Sequence, residues 1–259
     1  MKAVLLCAGF GTRLGPLTRD CPKPMLSVGG LPLLVRILGQ LKQNGIHDVA
    51  INLHYRPESI VSMIGDGKRL GVRVRYSHEE KPLGTAGALV PLEAWLNEED
   101  AFLVYYGDIY TEQNLSALID CHAANKSYAT LLLHRRPHSN SVVQRDERGR
   151  ITCFVERPSQ SQRDSLLADN CTDVWVNSGI QVLSRKALKD IVRDQLYDLP
   201  KDLYAAKYSR ENMYSVPLSG FRIAVDSVQR YRQLCDYIDK KMTLQTKTLQ
   251  RLPKGENRA

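Results

Sequence analysis

Lys2-Ala3-Val4-Leu5-Leu6-Cys7-Ala8-Gly9-Phe10-Gly11-Thr12-Arg13-Leu14 opens the chain, and its two halves differ in character. Ala3 to Ala8 is an unbroken apolar run, the pattern of a strand covered on both faces. A glycine turn at Gly9 and Gly11 follows directly. Glycines there let the backbone turn tightly and bring bare N–H groups to a ligand. A loop of this kind at the carboxyl end of a strand is where open α/β sheets bind nucleotides. The stretch therefore predicts an α/β protein with an anion-binding turn after its first strand.

Working outward, short apolar runs alternate with helical patterns. Leu34, Ile37, Leu38 and Leu41 recur at helical spacing, and Asn44-Gly45 ends that helix. Val49 to Asn52, Val72 to Tyr76 and Ala101 to Tyr106 read as strands, Leu115 to Cys121 as a helix, and Thr130 to Leu133 as a strand. This alternation predicts a mostly parallel sheet with helices on both faces. The second half is more mixed. Ile151 to Val155, Val174 to Val182 and Met213 to Val216 read as strands, and 157–170 as a polar excursion. Val228, Tyr231, Leu234, Cys235, Ile238 and Met242 mark one face of a last helix, with Asp226 and Ser227 where an N-cap belongs. The expected organisation is one domain over 1–245 and a flexible tail over 246–259.

Composition narrows the function classes. The 259 residues suit one large α/β domain, with a core that needs no disulfide or metal staple. The formal charge of +8 points to anionic partners. No block of Lys and Arg is interleaved with aromatics, which argues against nucleic acid and for small phosphorylated ligands. The six cysteines lie far apart, with no CxxC pair and no zinc spacing, as expected of core residues in a reducing compartment. The apolar start is too short for a signal peptide, and no run of ~18 apolar residues exists to span a membrane, so a cytoplasmic protein is expected. The histidines show no metal spacing.

Three readings of the glycine turn compete. A phosphate-binding Walker loop needs Gly-Lys-Ser/Thr, which is absent. A dinucleotide fingerprint needs a third glycine where Leu14 stands. The third reading joins Thr12-Arg13, Pro16-Leu17-Thr18 and Pro22-Lys23-Pro24, so that two cations, Arg13 and Lys23, flank one anion-binding loop.

The run GFGTRLGPLTRDCPKPM, residues 9–25, resembles the signature of the sugar-1-phosphate nucleotidylyltransferases. The resemblance extends from Lys2 to about Tyr237. Asn52-Leu53-His54-Tyr55 and YSHEEKPLGTAGAL are similar to the bacterial mannose-1-phosphate and heptose-1-phosphate guanylyltransferases. It implies a Rossmann-like, mixed and mostly parallel sheet flanked by helices. A β-helix domain is not expected, since the 33 residues after Asp226 carry no hexapeptide pattern. It also implies a soluble enzyme that joins a nucleoside triphosphate to a sugar 1-phosphate with Mg²⁺ (or Mn²⁺) and releases pyrophosphate.

The resemblance assigns roles residue by residue. Ala8, Gly9, Gly11 and Thr12 would wrap the triphosphate, with Arg13 on its β- and γ-phosphates and Lys23 on the α-phosphate. Asp108 and Asp226 would hold the metal. Gly84, Thr85, Ala86 and Gly87 would meet the base, with Glu79 or Glu80 reading base or ribose. Glu156, Arg157 and Asn177 would take the sugar phosphate. Arg157 stands where the family carries Lys, and Ala224 and Ser227 replace the usual neighbours of the second acid. Without the resemblance, Gly107-Asp108 is equally a turn pair and Asp226 a helix N-cap. GTP is favoured through the branch resemblance, while UTP, CTP, ATP and dTTP stay open, as do a non-sugar acceptor, a non-catalytic nucleotide-sugar-binding subunit and a homodimer.

Overall fold

The computed structural model describes residues 1–136, 141–167 and 174–250. Its strands are β1 (Lys2–Leu6), β2 (Ser27–Val28), β3 (Leu31–Pro32), β4 (Asp48–Leu53), β5 (Arg73–His78), β6 (Ala101–Tyr106) and β7 (Ile109–Thr111) in the first part. Then come β8 (Ala129–Arg135), β9 (Ser141–Arg145), β10 (Ile151–Glu156), β11 (Trp175–Ser184), β12 (Met213–Pro217) and β13 (Arg222–Ala224). Nine of them form one mixed, mostly parallel sheet: β10-β9-β11-β6-β1-β4-β5, with β8 beside β11 and β12 beside β8.

β5, β4, β1 and β6 are mutually parallel neighbours, whereas β11 runs antiparallel to β6. The chain moves outward from β1 through the helix Leu33–Gln43 to β4, and through Pro57–Ile64 to β5. It then returns to the opposite flank of β1 as β6. Strand order thus reverses at β1, and the crevice outside the carboxyl ends of β1 and β6 is the switch point at which open α/β sheets take their ligands. The register Leu6↔Tyr106 brings the glycine turn after β1 level with Gly107-Asp108 after β6.

The unbroken apolar runs are explained by cores on both faces of the sheet. Ala3 and Leu5 pack with Val49, Ile51, Leu103 and Tyr105 against Leu34, Ile37, Leu38 and Leu41 of the first helix. Val4, Ala50, Phe102 and Val104 face the other way, toward Leu89, Trp95, Leu96 and Tyr204. Side chains alternate between faces along a strand, so a strand covered on both sides must be apolar at every position.

Strand ends differ from the sequence expectation by a residue or two. β9 and the two-stranded sheet β7–β13 carry no clear pattern and were not expected. The polar excursion contains a helix, Gln160–Leu167, and its last residues lie outside the described residues. The terminal helix runs Val228–Gln250, so 246–250 are helical, and 251–259 lie outside the described residues. Among the described residues, no helix is long and apolar enough to cross a membrane.

Candidate active site

A cavity of about 260 Å³ opens at the switch point. Cys7, Ala8, Gly9 and Phe10 line it from the first strand and turn, Lys23 and Pro24 from the next turn, and Tyr106, Gly107 and Asp108 from β6. Gly84, Thr85 and Asp198 close the far wall. The loop has its glycines for distinct reasons. Gly11 takes φ +68°, a left-handed conformation that β-carbons disfavour, and its carbonyl accepts from Leu14 N–H at 3.0 Å and Thr18 Oγ1 at 2.9 Å. Gly107 passes so close to β1 that a side chain there would meet the Leu6 carbonyl at 2.9 Å.

Charges gather at the turn. Lys23 Nζ donates to Asp108 Oδ2 at 3.0 Å, across 85 residues of sequence. Thr12 and Arg13 are exposed, and among the described residues Arg13 has no ion-pair partner. A free guanidinium beside a glycine turn is available to an anion.

The backbone segments that carry the two aspartates are joined by a part of the fold that was not legible beforehand. β13 pairs antiparallel with β7, matching Ala224 to Ile109. Val225 N–H then donates to the Asp108 carbonyl at 2.8 Å, which ties the segment carrying Asp226 to the end of β6; of the two acids, Asp108 lines the cavity and Asp226 does not. Asp226 does not cap the terminal helix. Ser227 does, with Arg230 N–H donating to its Oγ at 3.3 Å. The Asp226 carboxylate instead pairs with Arg230 at 3.5 Å.

Glu156 and Asn177 reach the same end of the sheet. Glu156↔Ser141 and Trp175↔Val143 are registered pairs, which carries Glu156 level with Asn177. A bulge in β11 after Asn177 breaks its pairing with β8. Asn177 Oδ1 accepts from Gly179 N–H at 2.9 Å, and Gly179 itself takes φ +77° against Tyr106. Burial pushes the Glu156 carboxyl up, while the Arg157 charge and a hydrogen bond from Ser141 oppose that and the Asp198 charge adds to it. Arg157 is exposed at φ +53°.

The 84–87 segment is a wall rather than an open loop. Thr85 N–H and Oγ1 both donate to Asp198 Oδ1, at 3.0 and 3.1 Å. Ala86 and Gly87 N–H donate to the Tyr197 carbonyl at 2.9 and 3.0 Å, and both residues are buried. Only Gly84 and Thr85 of this segment line the cavity. Glu79 is likewise engaged: it accepts from Asn52 Nδ2 at 2.6 Å and Leu83 N–H at 3.0 Å. Asn52 Oδ1 in turn accepts from Cys7 N–H at 2.6 Å, tying the first turn to this wall.

Sequence reasoning missed Asp198, Phe10, Tyr106 and Arg222. Phe10 is 48% exposed and lies edge-on to His54, with ring centroids 5.0 Å apart. The Tyr106 hydroxyl is buried with no hydrogen-bond partner. Arg222 donates to the Ser178 carbonyl at 2.9 Å, and burial draws it down to about 10 while the Asp108 charge opposes that. An exposed aromatic inside the glycine run was the one signal that could have found Phe10.

No metal cluster of three or more acidic, histidine or cysteine side chains occurs among the described residues. The pair Asp108 and Asp226 still fits a hard divalent ion. Both are carboxylates on segments tied together by the Val225–Asp108 backbone hydrogen bond, and each has a cation as a present partner. Such an ion completes its oxygen shell with phosphate and water.

Fold and site define an open α/β protein with a glycine turn, a lysine and an acid, Asp108, gathered at its switch point. The sequence matches the nucleotidyl transferase family over residues 2–217, and the chain belongs to that family. It is 32% identical over 208 residues to a mannose-1-phosphate guanylyltransferase of Mycobacterium tuberculosis, covering 80% of this chain and 55% of that protein. It is 31% identical to a UTP–glucose-1-phosphate uridylyltransferase of Synechocystis, covering 79% and 54%. The chain thus spans about half the length of these curated relatives. The solved structure of HddC from Yersinia pseudotuberculosis, complexed with GMP-PN, shares the fold with a TM-score of 0.73 at 23% identity, covering 92% of this chain and 99% of that one.

Proposed function

We propose that the protein transfers a nucleotidyl group from a nucleoside triphosphate to a sugar 1-phosphate and releases pyrophosphate, with GTP and mannose 1-phosphate the favoured pair. One observation carries the reading. The Lys23–Asp108 contact sets a cation and an acid at the mouth of the glycine turn, and the Val225–Asp108 hydrogen bond ties the segment that carries Asp226 to them. The guanylyltransferase relative supports the choice of base, and the uridylyltransferase relative defines its main competitor.

The chemistry is an in-line displacement. A phosphate oxygen of the acceptor is already anionic at neutral pH, so no general base is needed. The obstacle is bringing two polyanions together. The Gly9–Thr12 turn and Arg13 hold the leaving phosphates, and Lys23 neutralises charge growing on the α-phosphate. Asp108 and Asp226 would hold Mg²⁺, which when bound supplies Lewis-acid charge neutralisation. Glu156 and Asn177 orient the sugar, so that much of the barrier is met by alignment.

The test is a matrix of five triphosphates against mannose, heptose and glucose 1-phosphates, with pyrophosphate release as the readout, with and without a chelator. GTP with mannose 1-phosphate is expected to be the most active pair, and activity is expected to vanish with chelator. A preparation that releases no pyrophosphate from any pair while staying folded overturns the proposal.

A further inference from the structure

The glycine turn carries a side chain that none of the roles above uses. Among the described residues, Phe10 is the one exposed phenylalanine, tyrosine or tryptophan. It is also the one exposed large apolar side chain that lines the cavity. A lone surface hydrophobe is ordinary. This one is braced. The Phe10 ring centroid stands 5.0 Å from that of His54 at 89°, and 5.8 Å from that of Tyr55 at 53°. His54 Nδ1 donates to the Glu79 carbonyl at 2.8 Å, and since a carbonyl only accepts, that nitrogen carries a proton. The Tyr55 hydroxyl donates to the Arg19 carbonyl at 2.7 Å. Both bracing rings are thus hydrogen-bonded in place on the segment that follows β4, and the ring of Phe10 rests on them.

Sheet order decides what the ring faces. Neighbouring strands run β6-β1-β4-β5, so Asp108 after β6 and His54 after β4 lie on opposite flanks of β1. Lys23, the cation that lines the cavity, is bound to Asp108 and belongs to the β6 flank. A triphosphate drawn along the turn toward Lys23 leaves its nucleoside on the β4 flank, where Phe10 leans. Gly9 and Gly11, on either side of Phe10, leave backbone N–H groups to the phosphates, while the side chain packs away from them on His54. The cavity lining suits a flat ring. Phe10 and Pro82 are apolar, and Gly9 and Gly84 carry no side chain. Asn52 and Glu79 line it as well and are bonded to each other at 2.6 Å, which fixes the polar part of that wall.

We propose that the ring of Phe10 is the stacking surface for the base of the nucleoside triphosphate. The proposal rests on the nucleotidyl-transfer reading and deepens it, since it names a residue that sets which triphosphate is taken. Aromatic rings attract one another in offset or edge-on arrangements, and a base presents a flat π-face to such a ring. A ring already braced by His54 and Tyr55 loses little freedom when the base arrives, so more of the contact appears as affinity. Stacking does not read hydrogen-bond patterns. It discriminates by area, and a purine covers more of the ring than a pyrimidine does. Phe10 therefore favours purine triphosphates and leaves the choice between guanine and adenine to polar groups.

Three variants of the full chain test it, each checked for folding by circular dichroism. Phe10→Ala removes the ring, Phe10→Leu keeps apolar bulk without a π-face, and Phe10→Trp enlarges the face. Calorimetric titration with GTP should show binding weakened about tenfold in Phe10→Ala, less in Phe10→Leu, and as tight as the wild type or tighter in Phe10→Trp. Titration with inorganic tripolyphosphate, which has no base, should stay within about twofold in all three. In Phe10→Trp, GTP should quench the emission added to that of the two native tryptophans, and tripolyphosphate should not. In steady-state assays Phe10→Ala should raise KM for GTP about tenfold, leave KM for the sugar 1-phosphate within about twofold, and narrow the preference for GTP over UTP. Unchanged GTP affinity in Phe10→Ala overturns the proposal. So does an equal loss for GTP and tripolyphosphate, which would mean that the side chain only shapes the turn, and so does unquenched emission in Phe10→Trp. A wild-type protein that binds GTP but releases no pyrophosphate with any sugar 1-phosphate would remove the transfer reading, while the titrations and the quenching would still judge the stacking.

Discussion

The glycine-turn side of the site comes from one stretch of chain, Ala8 to Lys23. The Asn177 side is assembled from four: the end of β10, the start of β11, β13 and the first turn of the last helix. The first side is fixed by local backbone geometry, in the left-handed Gly11 and the Thr18–Gly11 hydrogen bond. The second is fixed by long-range pairing, and it is where the chain departs from its family's pattern at Arg157, Ala224 and Ser227. A site built locally resists substitution, because each residue also shapes the turn.

The largest expected effect falls where the two sides meet. Asp108→Ala should lower kcat by on the order of 10³-fold or more, the loss of several kcal/mol of charge stabilisation at about 1.4 kcal/mol per decade. The fold should survive, since the backbone carbonyl that anchors Val225 is unchanged; circular dichroism and pyrophosphate release check the two halves of this statement. Near-normal turnover in a folded preparation would detach both sides from a common metal. Lys23→Ala tests the turn side alone. Removing one charged donor aimed at the reacting phosphate should lower kcat by roughly 10²-fold. KM for the sugar 1-phosphate should change little, and a large change in that KM would erase the division between the two sides.

What the sequence made legible follows the same division. The first strand and its glycine turn could be read because their pattern lies in consecutive residues, whereas the metal role of Asp108 came from the family resemblance. The places of Arg13 and Lys23 near that turn could be read because both fall within one motif, whereas their phosphate-binding roles are proposals. The pairing of β7 with β13 could not. Each strand is three residues long, too short to show a period, and their register depends on a partner more than 100 residues away. The same holds for Asp198, whose role exists only through Thr85. A small-residue stretch such as 84–87 suggests open backbone, yet its amides are taken by Tyr197 and Asp198, which no local pattern reveals.

Asp198 sharpens the comparison through stability. Asp198→Ala leaves the Thr85 N–H and hydroxyl without an acceptor, at a cost of about 1–3 kcal/mol. At roughly 2–4 °C per kcal/mol for a domain of this size or slightly smaller, the melting temperature should fall by several degrees. Asp198→Asn keeps an acceptor oxygen and should recover most of the loss. If the alanine variant melts as the wild type does, the far wall is not held by this clasp.

The smallest effect is a pH dependence confined to the Asn177 side. His134 is drawn down to about 4 by burial first and then by Arg222, Arg136 and Arg230. Its folded pKa lies below its ordinary value of 6.5, so the neutral ring contributes stability that is present above about pH 6.5. That contribution is lost progressively as pH falls from there toward 4, because the unfolded chain takes up the proton first. Protonation in the folded state would set a fourth positive charge among three guanidiniums. His134→Gln should therefore flatten the acid limb of melting temperature against pH between about 6.5 and 4 and leave the region above pH 7 nearly unchanged. The turn side carries no such group, so Lys23→Ala should keep the wild-type slope. An unaltered acid limb in His134→Gln would mean that the arginines lie farther from the ring than the Ser178 contact implies, and it would weaken the case for a concentrated positive field at that end of the sheet.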